Sequence, residues 1–390
     1  MLDVIVVGGG PVGSQVAYEL ASLGHKVAVL EQRERLGEVC CTGVVSLECV
    51  QNFAIPEELI LRRVAGARLF SPSGNTFCLE VAKPIACILD RKGLDEFLAR
   101  RARESGAEYF WGSQVKSLEV TPSGVKVGAS QNGKLEARAV VLATGASSSF
   151  LARLGMGRTR EPVMGAQAEV FAPGLDEVQV YSGDRFAPGF FAWLVPTHGG
   201  RGLAGLISRQ CSGGYLNDFL EWLYQEKKIT SANRVKTRPI MLSSLSKSYG
   251  ERLLVVGGAA GQVKPTTGGG IYYGLTAADI ASRNLSQALV KDDLSLASLQ
   301  GYEREWKKKL GQELTVGRLA RKLYENLSDH QIDSMFGLVK TNFIPDLLGD
   351  GELTFDWHAK IILRILKQKL GIRMLNRAKT LLQVKESKAL

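Results

Sequence analysis

The 390 residues contain no Cys-x-x-Cys pair, no apolar run long enough to cross a bilayer, no internal repeat and no low-complexity tract. Each absence removes a class. The six cysteines, at positions 40, 41, 49, 78, 87 and 211, keep no regular spacing, which argues against a disulfide framework or a zinc site. A reducing, cytoplasmic setting is the expectation. A membrane-spanning helix needs about 20 predominantly apolar residues in a row, so an integral membrane protein is not expected. The opening MLDVIVVGGGPVG lacks a basic leader and runs from a strand into a glycine loop, unlike a secretory signal. The formal net charge is +10, but basic residues are scattered until the C-terminal stretch. Nucleic acid is therefore not the expected partner, and an anionic lipid surface suits the distribution at least as well.

With 45% hydrophobic residues, the chain can bury a large core in two or three lobes. Residues 3–7, 12–23 and 26–31 read as strand, helix and strand, a βαβ unit. An amphipathic helix is predicted at 93–105, a hairpin-like stretch at 108–138 and a buried strand at 139–143. Aromatic-rich, strand-like sequence fills 163–208, and a helix carrying Leu216, Phe219, Leu220 and Leu223 follows. A strand at 252–256 opens a second glycine-rich loop and a helix at 270–290, and the chain from about 295 onward looks helical and basic. Two glycine-rich strand–loop–helix units so far apart fit one discontinuous nucleotide domain with the intervening segments looped out.

Gly8-Gly9-Gly10-Pro11-Val12-Gly13 follows the first strand and opens the first helix. Gly8 permits a tight turn, Gly10 lets the backbone approach a pyrophosphate, and Gly13 allows close helix–strand packing. Glu31 closes the second strand, where a ribose diol is met. The motif alone does not separate FAD from NAD. Downstream, Asp90-Arg91 precedes a helix, and Thr144-Gly145 ends a strand where backbone passes near a nucleotide. Gly268-Gly269-Gly270 before Ile271 leaves backbone N–H groups free for an anionic partner at the start of the late helix.

This set, with Cys41-Thr42-Gly43, Ala143-Thr144-Gly145 and Pro265-Thr266-Thr267-Gly268-Gly269-Gly270-Ile271, resembles the geranylgeranyl reductase family, flavoproteins of the p-hydroxybenzoate hydroxylase fold type. The resemblance spans residues 1 to about 290. It implies FAD, with Gln32 and Val115 added to the residues around it, and reduction of isolated double bonds in isoprenoid chains. It places Cys41 close to the flavin ring, as a proton donor or a gate; Cys40 beside it reads as a buried filler on its own chemistry. The expected fold class is α/β, a doubly wound FAD-binding domain interrupted by a mixed β-sheet substrate domain and followed by a helical C-terminal region. Residues 1–60, 88–160 and 248–290 would form the first, 61–87 with 161–247 the second, and 291–390 the third.

The family's Pro-Gly-Gly-Tyr-x-Trp-x-Phe-Pro motif is similar to Pro188–Pro196 here, with Phe191 at the tyrosine position and Val195 at the phenylalanine position. Phe190, Phe191 and Trp193 are the expected substrate wall; they also suit a plain sheet core. Aromatic faces there would stabilise the cationic character that develops when an alkene lacking a carbonyl is reduced. The family's Gly-Asp-Ala-Ala is Gly257-Gly258-Ala259-Ala260 in this chain, so Gly258 lacks the carboxylate that accepts from a ribitol hydroxyl. No second dinucleotide fingerprint is visible, which leaves NAD(P)H or ferredoxin open as electron donor. Two rival readings remain. One is a flavin monooxygenase or halogenase, with Lys83 as the halogen carrier. The other is a lipid carrier that has lost its flavin chemistry. The stretch from Trp357 to Lys388 reads as a basic amphipathic helix, suited to packing on the body of the protein or to lying on an anionic membrane.

Overall fold

Val4, Ile5, Val6 and Val7 are apolar in succession, so their strand must be covered on both faces. In the computed structural model, which describes residues 1–37, 40–146, 150–157, 162–338 and 354–367, this is what happens. Strand Leu2–Val7 sits inside a sheet ordered Tyr249–Gly250, Leu253–Val255, Gly133–Leu142, Leu2–Val7, Val27–Leu30 and Glu108–Phe110. All but the short Tyr249–Gly250 run parallel to their neighbours. One face packs on helices Pro11–Ser22, Arg91–Glu104 and Ile271–Val290. The other is covered by the antiparallel pair Val115–Thr121 and Gly124–Ala129, through Val125 and Val127.

The sequence divides a hairpin ending at 138 from a strand starting at 139, but Gly133–Leu142 is one strand. Its first half pairs antiparallel with Gly124–Ala129 and its second half parallel with Leu2–Val7. Ala137 belongs to both ladders, opposite Val125 on one edge and Leu2 on the other. A change from half-covered to fully covered sheet, not a turn, produces the change in hydrophobic pattern.

The second large sheet is mixed. It runs Ser231–Ala232, Pro162–Phe171, Arg201–Ser208, Phe191–Pro196, Val178–Ser182, Gly66–Phe70, Thr76–Glu80, with Lys236–Met241 also on Pro162–Phe171. Helix Ser212–Gln225 covers one face, burying Leu216, Phe219 and Leu223 against Ala192, Leu194, Ala204 and Leu206. The opposite face looks toward the carboxyl ends of the parallel strands. Of the early excursion drawn at 61–87, Gly66–Phe70 and Thr76–Glu80 join this sheet. Ile60–Val64 and Ala86–Leu89 form a separate three-stranded sheet with Val44–Ser46, whose Val45, Cys87 and Leu89 pack in the helix-side core.

The C-terminal region begins with Leu296–Tyr324, laid along Ile271–Val290 and burying Tyr302, Trp306 and Leu310. Helix Asp329–Leu338 follows, and the described residues further on are Thr354–His358 and helix Ala359–Lys367. Trp357 precedes that helix rather than opening it. Its indole donates to Glu48 Oε2 at 2.9 Å and its ring meets Tyr272 and Tyr273. The rest of the stretch to Lys388 lies outside the described residues. Among the described residues, no helix is long and apolar enough to cross a membrane.

Candidate active site

A cavity of about 490 Å³ lies where the parallel strands end and the mixed sheet presents its uncovered face. Gly8, in the left-handed region at φ +105°, turns the chain out of the first strand; a Cβ there would lie 2.6 Å from the Ala143 carbonyl oxygen. At Gly13 a Cβ would lie 1.9 Å from the Gly8 carbonyl oxygen, so Gly13 packs the helix onto the loop behind the cavity wall. Gly8, Gly10, Pro11 and Val12 are in the wall itself. Helix Pro11–Ser22 has no side-chain cap, and its first-turn N–H groups and positive end are left for a partner. Helix Ile271–Val290, capped by Gly270, also begins at the cavity without a side-chain cap.

Glu31 is buried at the end of Val27–Leu30, and its carboxylate is already engaged. Oε2 accepts from Gly9 N–H at 2.8 Å, and Oε1 from Arg33 N and Nε at 3.0 and 2.8 Å. Burial alone would raise its pKa; the hydrogen bonds and charge of Arg33, with the Gly9 amide, outweigh this and lower it. Arg33 thus stands with Glu31 and Gln32 at the end of the second strand, all three lining the cavity.

Cys41, Thr42 and Gly43 line the cavity together with Arg91. Gly43 adopts φ +74°, and a Cβ would strike the Leu89 carbonyl oxygen at 2.7 Å and the Arg91 side chain at 2.8 Å. The glycine therefore lets a buried arginine pass. Arg91 Nη2 donates to Asp95 Oδ1 at 2.8 Å, while Nε and Nη1 have no hydrogen-bond partner among the described residues. Burial disfavours the Arg91 cation, but Asp95 and then the Cys41 thiol beside it more than offset this and hold it protonated. Thr42 Oγ1 donates to Gln167 Oε1 at 2.8 Å, tying the cysteine loop to the mixed sheet. Cys40 also lines the cavity; its Sγ contacts the Lys236 carbonyl oxygen at 3.4 Å, and burial raises its pKa to about 11.

Strand Phe191–Pro196 obeys the period of two. Phe191, Trp193 and Val195 face the cavity, while Ala192 and Leu194 join the core beneath helix Ser212–Gln225. The indole of Trp193 lies over Gly205, where a Cβ would come within 2.5 Å of it, so that glycine makes room for the ring. Phe190 is not in the cavity wall. It precedes the strand on the opposite parity, is 1% exposed, and is covered by the Arg321 guanidinium 4.6 Å from its ring centre. Lys83 is exposed and outside the wall.

Val115, Thr144, Gly145, Gly258, Gly268, Gly269, Gly270 and Ile271 complete the predicted residues that the fold brings to this cavity. The sequence reading missed Arg33, Gln167, Arg238, Lys264, Phe355 and Asp356. Lys264 did carry a signal, as the one charged side chain between Gly257 and Ile271. Asp356 carried none.

Residues 3–46 and 51–221 match the family described as FAD dependent oxidoreductase. A digeranylgeranylglycerophospholipid reductase 2 of Methanothermobacter thermautotrophicus is 32% identical over 351 residues, spanning 85% of this chain and 90% of its own. The chain belongs to the geranylgeranyl reductase family of FAD-dependent oxidoreductases. The fold agrees. A geranylgeranyl bacteriochlorophyll reductase-like protein of Thermoplasma acidophilum superposes with a TM-score of 0.83 at 24% identity, over 97% of this chain and 99% of that one. A flavin-dependent brominase shares the architecture at a TM-score of 0.72 and 15% identity, over 98% and 99%. At such identities these two matches speak for the fold alone.

The residues present fit FAD as a geranylgeranyl reductase requires. Thr144 Oγ1, Thr267 Oγ1 and two nitrogens of Arg91 are buried in the wall without partners among the described residues. Polar atoms left so need a ligand or water to satisfy them. At Gly10, nothing stands within 4 Å of the Cβ position, which leaves a cradle open to a pyrophosphate.

Proposed function

We propose that the protein saturates isolated double bonds of a geranylgeranyl-type polyprenyl lipid or quinone precursor, with FAD held in the cavity. The observation that carries this reading is the shared wall: Phe191, Trp193 and Val195 enter the same cavity as both glycine loops and Cys41. The Methanothermobacter relative, a digeranylgeranylglycerophospholipid reductase, supports it.

In this reading Gly8, Gly10, Pro11, Val12, Glu31 and Gln32 hold the adenosine and pyrophosphate, and Gly13 supports them from behind. Thr42, Gly43, Arg91, Val115, Thr144, Gly145, Gly258, Gly268, Gly269, Gly270 and Ile271 surround the ribityl chain and ring. Bound FAD supplies the two-electron reduction, a hydride for one alkene carbon. Cys41 gives the neighbouring carbon a proton from its thiol, directly or through a water, with the Arg91 side chain beside it in the cavity wall. The ring faces of Phe191 and Trp193 exclude water and stabilise positive charge developing on the chain. Electrons arrive from NAD(P)H or ferredoxin. The basic excess, with Lys360 and Arg364 exposed on helix Ala359–Lys367, brings the enzyme to an anionic bilayer surface where its lipid resides.

The test is anaerobic turnover. Photoreduced flavoprotein given a geranylgeranyl phospholipid should yield product carrying two added hydrogens per double bond. An enzyme that acts solely with oxygen, on an aromatic substrate, contradicts the proposal.

A further inference from the structure

Lys264 and Asp356 form a buried ion pair in the cavity wall, with Nζ 2.9 Å from Oδ1 and side chains 3% and 6% exposed. Nζ donates a second hydrogen bond, to the Phe355 carbonyl oxygen at 2.6 Å, and the Phe355 ring centre lies 4.1 Å from it. An ammonium carries three N–H groups, so one is unspent. Asp356 Oδ2 is buried and has no partner among the described residues. The pair thus leaves one donor and one acceptor side by side. Buried charges are tolerated when their remaining hydrogen-bonding capacity is filled, which points to a ligand group offering the reverse pattern.

Hydrogen bonds hold the segment that carries Asp356. The Asp356 carbonyl accepts from Tyr273 Oη at 2.9 Å, and Glu313 Oε2 accepts from His358 N and Ala359 N at 2.8 and 2.9 Å. Lys264 Cε lies 3.5 Å from the Cβ position of Gly269, in the middle of the glycine run that opens helix Ile271–Val290. The pyrimidine edge of a flavin is an imide, an N–H donor between two carbonyl acceptors, and it is complementary to this donor and acceptor.

We propose that Lys264 and Asp356 read the pyrimidine edge of FAD: Asp356 Oδ2 accepts from the imide N–H, and the remaining Lys264 N–H donates to the adjoining carbonyl. This rests on the reading that FAD occupies the cavity, and it makes the late segment Thr354–His358 part of the flavin site. The role is one of positioning and recognition.

The test uses FAD and 3-methyl-FAD, in which the imide hydrogen is replaced, each titrated into the full-length apoprotein by fluorescence. Wild type should bind 3-methyl-FAD about tenfold more weakly than FAD, or worse, since a hydrogen bond to a charged group is lost. Lys264→Met/Asp356→Leu removes both charges together, so no lone ion is stranded, and should bind the two flavins alike. Asp356→Asn keeps the shape, turns an N–H toward the imide, and should also lose the preference; it serves if the double variant does not fold. A wild type that binds FAD but does not discriminate overturns the pairing and leaves the FAD site standing, as do variants that keep the wild-type preference. A wild type that takes up no FAD overturns both.

Discussion

The Arg321 guanidinium stacks 4.6 Å from the centre of the Phe190 ring while its nitrogens reach the carbonyl oxygens of Gly189, Pro265 and Thr266. Burial lowers its pKa to about 10, which still leaves it charged near neutral pH. One helix of the C-terminal region thereby clamps the aromatic segment to the loop that precedes Gly268.

Neighbouring phenylalanines should therefore behave differently. Phe190→Ala removes a core ring from beneath the clamp, and should cost about 3–5 kcal/mol of stability with a large fall in Tm. Phe191→Ala should leave Tm near wild type and lose about 1.5–3 kcal/mol of prenyl-chain binding, more for C20 than for C10 chains. Equal fractional losses for both chain lengths, together with a lowered Tm, would place Phe191 in the core.

Gly10 and Gly13 separate flavin uptake from folding. A side chain at Gly10 meets open space and an ordinary φ of −71°, so Gly10→Val should fold with wild-type Tm yet purify without flavin. Gly13→Ala drives a Cβ to 1.9 Å from backbone and should fail to fold stably. Wild-type flavin content in Gly10→Val would remove this loop from the cofactor site.

These contrasts also mark what was legible. The two glycine loops, Glu31 and the Cys41-Thr42-Gly43 turn are local patterns, each fixed by a strand end or a tight turn within a few residues. The cavity face of Phe191 and Trp193 follows from strand period, but where the strand begins does not, and Phe190 fell on the other side of that boundary. Arg33 is two residues from Glu31, and its pairing was readable in principle. Lys264 meets Asp356 across 92 residues and Arg321 meets Gly189 across 132, and no periodicity spans such separations.

Gly258→Asp should tighten FAD binding. The Cβ position is in ordinary contact, 3.4 Å from Gly145, and the carboxylate would restore a charged acceptor for a ribityl hydroxyl. Such a bond is worth about 1.5–3 kcal/mol, or roughly tenfold or more in Kd by fluorescence titration. Unchanged affinity would mean that another group already accepts from that hydroxyl.

His358 gives the fold an acid limit. It is half-buried on the late segment with Nδ1 3.0 Å from Thr266 Oγ1; loss of solvent around the ring, then the Lys264 charge, lowers its pKa to about 4. The unfolded chain binds this proton below about 6.5 and the folded chain does so near 4, so stability falls as pH drops through that window and is full above it. The difference amounts to as much as about 3 kcal/mol. Denaturant titrations between pH 7 and 4 should show this slope, and His358→Gln should flatten it. An unchanged slope in the variant assigns the acid sensitivity elsewhere.

The most direct test of the central claim is one anaerobic comparison of wild type, Cys41→Ala and Cys40→Ala. Each is photoreduced and mixed with a geranylgeranyl phospholipid, and the lipid is then followed by mass spectrometry. The account predicts double-bond saturation by wild type, a milder loss in Cys40→Ala, and loss of most activity in Cys41→Ala with FAD retained. Reduction by Cys41→Ala at the wild-type rate would contradict the role of the cysteine. No reduction by flavin-loaded wild type, under conditions where its FAD is fully reduced, would contradict the assignment of the cavity to a prenyl chain.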